Sequence, residues 1–291
     1  MKINYETIKN LNTRGGVREM KKLLLILAAL LVLGLGNAYA GISLYYDLSA
    51  IGLGQTSIFD RQVLTTIDAT SSYANGIYPG ASFSDIGDLQ IGTFTLNGVA
   101  IGGTQNLNTA WEFTGNWAGL GGSITEIIPG ALGTTYLFDY TSGTATLFAD
   151  NTPNAFFGGP GSGDDTGFTD GMSIATLQLI RGNGALVDNN AIPDGGFTYL
   201  LWDIVDVPTG MWYDTMGNDL EAYLELYGVA EVNTLVAADV TVTGDPINGP
   251  ANILSRNTGD VTYTVPEPAS LLLLGSGLLG LAGIGFRRKR S

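Results

Sequence analysis

Histidine and cysteine are both absent from the 291 residues. Without histidine there is no Ser-His-Asp triad, no His-paired nucleophile and no His-ligated zinc or copper. Without cysteine there is no disulfide framework, no thiolate nucleophile, and no iron–sulfur or haem attachment. Lysine is missing too from the central stretch Gly41–Thr264, where Arg61, Arg181 and Arg256 face 24 carboxylates. So acidic a surface repels DNA, RNA and anionic lipid, which excludes nucleic acid as a partner. It attracts divalent cations and cationic polymers, and its plainest use is to keep a Gly-rich chain soluble.

Long amphipathic helical patterns are also scarce. In their place, Thr, Ile, Val and aromatic residues alternate in short runs between Gly, Asn, Asp and Pro. That pattern predicts an all-β fold, a β-sandwich or jelly roll. Thr93–Leu96, Asn97-Gly98 and Val99–Ile101 form a predicted hairpin with a type I′ turn, whose two central residues need φ > 0. Thr135–Tyr140 places Tyr136, Phe138 and Tyr140 on one face; Thr141-Ser142-Gly143 reads as a turn, and Thr144–Ala149 as the return strand with Thr144, Thr146 and Phe148 in step. Met172–Arg181 alternates with Ala175, Leu177 and Leu179 inward, and Gly182-Asn183-Gly184 reads as a turn back into Ala185–Val187. Gly196–Val207, Asp239–Thr243 and Val261–Val265 are further strands. Leu220–Tyr227 fits a helical stripe and a strand alternation alike, and the β neighbourhood favours strand. The central stretch is 224 residues long, enough for one sizeable core; one domain is expected, with Asn151–Thr169 as an exposed loop or a seam between two β subdomains.

Both ends differ from this body. Met20-Lys21-Lys22, the 13 apolar residues Leu23–Leu35 and then Ala38-Tyr39-Ala40 make a basic n-region, an h-region and a small-x-small site for signal peptidase. Thirteen residues reach only about 20 Å as a helix, too short to span comfortably, so residues 20–40 are expected to be cleaved after Ala40. Residues 1–19 are then a start-site artefact or an extended n-region. At the other end, residues 265–291 hold Val265-Pro266-Glu267-Pro268, an apolar run from Ala269 to Phe286, and Arg287-Arg288-Lys289-Arg290. The prolines hold the segment extended, as a protease subsite requires. The 18-residue run spans roughly 27 Å, close to the hydrocarbon core, and the four terminal cations favour the cytoplasmic side.

This tail resembles the PEP-CTERM sorting domain of bacterial exported proteins, with motif, helix and basic cluster in the family's order at the chain's end. The family is similar in logic to LPXTG-sorted proteins. The resemblance implies recognition by an exosortase, a membrane-embedded cysteine protease or transpeptidase, and a transient membrane anchor at Ala269–Phe286. The processing residues it implies are Pro266, Glu267, Pro268, Arg287, Arg288, Lys289 and Arg290, alongside Ala38 and Ala40 for signal peptidase. More loosely, the body is similar to the flocculation-associated PEP-CTERM proteins of exopolysaccharide-making bacteria. That likeness rests on Phe83–Ile91 with the hairpin after it, the Tyr136–Tyr140 strand, the Ile174–Gly182 strand, and Trp212-Tyr213-Asp214 followed by Gly217–Leu220. It implies an exported protein at the cell surface or in the extracellular matrix, structural in biofilm, floc or exopolysaccharide assembly, with polysaccharide or matrix proteins as partners. A calcium- or carbohydrate-binding module of the same matrix is the alternative.

Three constellations could carry chemistry. Gly158–Gly171 brings Asp164, Asp165 and Asp170 together, a weak calcium candidate without EF-hand spacing, and solvated turns use the same residues. Asp188-Asn189-Asn190 with Asp194 is weaker still. Trp111 and Trp117 flank Thr114-Gly115-Asn116, which reads as a turn presenting the two together, and could stack on sugar rings, although aromatics in strands are usually core. Carboxylate pairs such as Glu221 and Glu225 could serve a glycosidase only across a cleft of set width. With 24 carboxylates such pairs arise by chance, so no enzyme activity is expected and no cofactor beyond a possible calcium.

Overall fold

The computed structural model describes residues 39–101, 106–130, 133–158, 164–189, 195–223 and 229–266. Among them are thirteen strands: β1 (Tyr39–Gly41), β2 (Leu44–Tyr46), β3 (Arg61–Tyr73), β4 (Ser82–Leu96), β5 (Val99–Ala100), β6 (Glu112–Pro129), β7 (Gly133–Ser142), β8 (Thr144–Asp150), β9 (Met172–Asn189), β10 (Gly195–Asp206), β11 (Trp212–Asp214), β12 (Val229–Gly244) and β13 (Ala251–Pro266). The helical elements among these residues are single 3-10 turns at Ser49–Ile51 and Leu220–Tyr223. Gly41–Val265 form one compact unit.

The all-β expectation holds, and opposite walls pack their apolar faces together as in a sandwich. The connectivity is that of a closed meander. Each long strand pairs antiparallel with its neighbours in sequence, from β3 with β4, β4 with β6, and onward through β9, β10 and β12 to β13. The ring closes where β13 pairs back onto β3, from Ala251 opposite Tyr73 to Thr262 opposite Arg61. Counting β7 and β8 as one wall position gives eight positions and no Greek-key crossover. Closure leaves no unpaired edge in the ring. Eight strands give an interior just wide enough for side chains to fill.

One strand register departs from the sequence reading. Thr141-Ser142-Gly143 does not turn the chain. β7 and β8 lie end to end between the same two partners, β6 on one side and β9 on the other. Gly143 at φ 138° and Gly119 of β6 at φ 77° are instead two bulges at one level of the wall. A side chain on Gly143 would meet Leu120 at 2.3 Å. Each bulge shifts the alternation by one, so the buried set passes from Phe113 and Trp117 to Leu120 and Ile124 on β6, and from Phe138 and Tyr140 to Ala145, Leu147 and Ala149 along β7–β8. Thr144, Thr146 and Phe148 are therefore not the inward set.

The expected turn at Gly182-Asn183-Gly184 is likewise absent, and β9 runs through it to Asn189. These glycines make room for neighbours. A Cβ on Gly184 would lie 2.6 Å from the Phe138 ring, and one on Gly182 would lie 2.4 Å from Leu200. Ala175, Leu177 and Leu179 face inward as the alternation requires. Leu220–Tyr223 forms a 3-10 turn rather than a strand, and residues 224–228 lie outside the described residues. The Asn97-Gly98 hairpin is present, with φ of 53° and 76° and Leu96 opposite Val99.

Two aromatic layers fill the interior. One joins Tyr73, Phe83, Phe138 and Tyr140 at ring separations of 5.2–6.2 Å. The other gathers Tyr46 of β2 and Trp212 of β11 with Phe59, Phe94, Phe113 and Tyr263; Tyr46 lies 4.7 Å from Trp212 and 5.0 Å from Phe59. Here the two-stranded sheet β2–β11 plugs the end of the ring that carries the long connections 97–111, 151–171 and 207–228. Gln62, fully buried, donates to the Tyr46 hydroxyl at 2.7 Å and accepts from Tyr263 at 2.8 Å. Burial pushes both tyrosine hydroxyls up, so they stay neutral donors. On β3 and β4, polar residues (Thr66, Thr70, Ser72, Ser84, Asp88 and Gln90) alternate with the inward apolar set. Ile86 is the exposed apolar exception on β4, and Ser71 and Asp85 are polar members of the buried set.

Candidate functional site

Asp85 stands on the inward face of β4 between Phe83 and Leu89 and is 1 % exposed. Its carboxylate accepts from Ser71 Oγ at 2.6 Å, Trp117 Nε1 at 2.6 Å and Tyr140 Oη at 3.2 Å. Burial pushes the carboxyl above the ordinary aspartate value, while the three donors pull it back. The same burial, with the Asp85 charge, raises the hydroxyls of Tyr73 and Tyr140. This polar knot borders an interior cavity of about 60 Å³, which Trp117, Trp202, Leu147 and Val261 also line. Such a volume is water-sized, not ligand-sized. Sequence reasoning missed Asp85; the signal was its parity with Phe83, Leu89 and Ile91 in an alternating strand.

The β8–β9 connection crosses the outside of the ring as a strap. Glu112, 1 % exposed, accepts from the backbone amides of Asn154 at 2.9 Å and Ala155 at 3.1 Å. Thr114 Oγ1 donates to the Phe168 carbonyl at 3.0 Å. Phe157 packs on Phe168 at 4.6 Å, and the Arg256 guanidinium lies over its ring at 5.9 Å. Arg256 also makes a two-pronged pair with the buried Asp68, at 2.7 Å from Nε and 2.5 Å from Nη2.

The expected calcium ligands sit in this strap. Asp165 accepts from the Gly158 amide at 2.7 Å and Asp170 from the Asn154 side chain at 2.7 Å. These are turn roles, and among the described residues no three metal-ligating side chains converge. Residues 159–163, and Asn190 and Asp194 of the weaker cluster, lie outside the described residues. Trp111 and Trp117, the proposed stacking pair, are 6 % and 8 % exposed. Trp117 belongs to the Asp85 knot, and Trp111 stacks on Phe94 at 6.2 Å. The expected turn at Thr114-Gly115-Asn116 is absent, because β6 runs through it paired to β4 and β8, so the structure does not bring the two indoles together as one platform.

The processing signals bracket the ring. Ile42 donates to the Tyr263 carbonyl at 2.9 Å, so the first residues expected in the mature chain and the last are neighbours in the same ladder. β13 is paired with β12 as far as Thr264, opposite Val229, and is extended through Pro266. Ala38, Glu267, Pro268, the Ala269–Phe286 run and Arg287, Arg288, Lys289 and Arg290 lie outside the described residues; among the described ones no helix is long and apolar enough to cross a membrane.

Residues 264–290 match the family model described as the PEP-CTERM protein-sorting motif. The tail is the C-terminal sorting signal of exosortase substrates. The match begins at Thr264, within β13. No curated protein and no solved structure matches the chain.

Proposed function

We propose that the chain is an exosortase-processed surface or extracellular-matrix protein whose closed β ring has a structural role in biofilm, floc or exopolysaccharide assembly. The PEP-CTERM signal at residues 264–290 carries this reading, because it assigns export and a surface destination to whatever precedes it. What precedes it suits that destination. The ring has no edge to pair with stray strands, its core needs no disulfide, and its acidic surface favours solubility at high local concentration. The partners in this reading are exosortase and signal peptidase during export, then polysaccharide or matrix proteins. No catalytic role is part of it.

Replacing Arg287, Arg288, Lys289 and Arg290 with neutral residues tests the sorting step in the native host. Loss of membrane retention before processing, read by fractionation and immunoblot, is the expected result. Unchanged processing and location would show that the basic cluster is incidental. Deleting the gene should reduce cell clumping, and a mutant that flocculates normally would remove the structural role.

A further inference from the structure

At the long-connection end of the ring, the chain folds two separate segments into the walls of a cleft of about 220 Å³. One wall is the turn 48–56 after β2; the other is the loop 106–111 before β6. Trp111, Gln55, Thr56, Asn106, Gly52 and Gly54 line it, and no lining residue carries a charge. In a body with 24 carboxylates and three arginines, an uncharged cleft is a local exception.

The walls are built before any ligand arrives. Leu48 donates to the Gly54 carbonyl at 2.8 Å, and Tyr46 donates to Thr56 Oγ1 at 2.9 Å. Gln55 Nε2 is fixed on Asp47 at 3.0 Å, which turns its amide into a positioned group. Opposite, the Asn106 carbonyl accepts from Thr109 at 3.0 Å and Ala110 at 2.7 Å, and Asn108 Nδ2 ties the loop to the Ile91 carbonyl at 3.0 Å. Positive φ at Gly52, Gly54, Asn106 and Asn108 puts left-handed backbone on both walls. A Cβ on Gly52 or Gly54 would meet nothing within 4 Å, so those backbones border open space. Trp111 is held as a rigid wall by its stack on Phe94, 6.2 Å away and tilted by 20°.

We infer that this cleft binds a single uncharged sugar residue, as part of a chain or at its end. Trp111, 6 % exposed, adds a small apolar patch to the wall for the C–H groups of a pyranose, and two carboxamides with a hydroxyl suit its ring hydroxyls. The volume is below the roughly 300–1,000 Å³ of drug-sized pockets and fits one ring rather than several. The surrounding negative charge repels uronic acids and sulfated sugars. The inference rests on the matrix reading for the ligand's natural source alone; the cleft's chemistry stands without it.

The test uses the purified exported protein with glucose, galactose, N-acetylglucosamine and glucuronate as probes. Binding is read by saturation-transfer NMR and tryptophan fluorescence. At least one neutral sugar should bind and glucuronate should bind at least tenfold more weakly. Ala110→Leu, which fills the cleft, should weaken the neutral sugar tenfold or more with an unchanged melting temperature. Should A110L fail to fold, Gln55→Ala serves in its place, with the same loss expected. No binding by any neutral sugar, equal binding of glucuronate, or full binding by the variant overturns the site. Both variants should still be exported and processed at the same termini, so a failed site with normal termini leaves the sorting account standing. Abnormal termini in the unmodified protein would sink that account instead.

Discussion

Asp85 places a carboxylate where the strand pattern calls for an apolar side chain, and three donors hold it there. Burial raises its proton affinity in the folded state above that in the unfolded chain, so the folded state binds the proton more tightly. Stability then falls as pH rises from the ordinary aspartate range through the raised folded value, and Asp88 and Asp260 contribute with the same sign. Urea denaturation between acidic and neutral pH should show this slope, and Asp85→Asn should flatten it in part. An unchanged slope in D85N would assign the dependence to the other two. Asp85→Ala strands the Trp117, Ser71 and Tyr140 donors and should cost about 1–3 kcal/mol for each group left unpaired. At Gly184 the same scale of argument applies to space. Gly184→Ala drives a methyl to 2.6 Å from the Phe138 ring and the Phe197 carbonyl and should destabilise by about 1–3 kcal/mol. Gly195→Ala, with nothing within 4 Å, should stay within about 0.5 kcal/mol. Equal effects at the two positions would contradict the packing role.

At the scale of elements, the strap and the ring wall under it depend on Asp68 and Arg256. Asp68 has 2 % of its side chain exposed and pairs with Arg256 on the neighbouring strand. Arg256→Ala leaves a buried carboxylate without its partner and should cost about 3–5 kcal/mol. The double variant Asp68→Asn, Arg256→Ala should recover part of that loss in thermal denaturation; no recovery would mean that the Asp68 pair is not what Arg256 contributes. Part of the strand set was readable, because alternation marks Tyr136–Tyr140 and Met172–Arg181 whatever they pack against, while β3, with Gln62, Asp68 and Ser71 among its buried residues, and the glycine-rich β6 carry no such clean alternation. The Asn97-Gly98 turn was readable for its own reason, since two adjacent positive-φ positions admit few other residues. Gly143, Gly182 and Gly184 were not, because glycine signals a turn, a bulge and a close approach with the same letter. Only Leu120, Leu200 and Phe138, distant in sequence, decide between them. Leu220–Tyr223 was misread because a short apolar run fits both periods, and packing beside β11 settled it.

At the scale of the whole molecule, ring closure is invisible in the sequence. A strand of a sandwich and a strand of a closed ring carry the same alternation, and the difference lies in β13 pairing with β3 across nearly 190 residues. The sorting signal was legible because its parts are contiguous, with proline, apolar run and arginine each acting through local chemistry. The mouth cleft was not, since its walls lie at 48–56 and 106–111 and neither means anything alone. Closure brings Ile42 beside Tyr263, so trimming both targeting segments leaves a body whose two ends are hydrogen-bonded to each other. The mature ring should therefore melt in one cooperative transition, and the same transition should be seen before and after removal of the tail. The central claim, processing at both ends, is tested most directly by intact-mass spectrometry of the protein from its own host. The account predicts an N-terminus at Gly41 and a C-terminus near Pro266. A C-terminus at Ser291 would contradict it and make the chain a permanently anchored membrane protein.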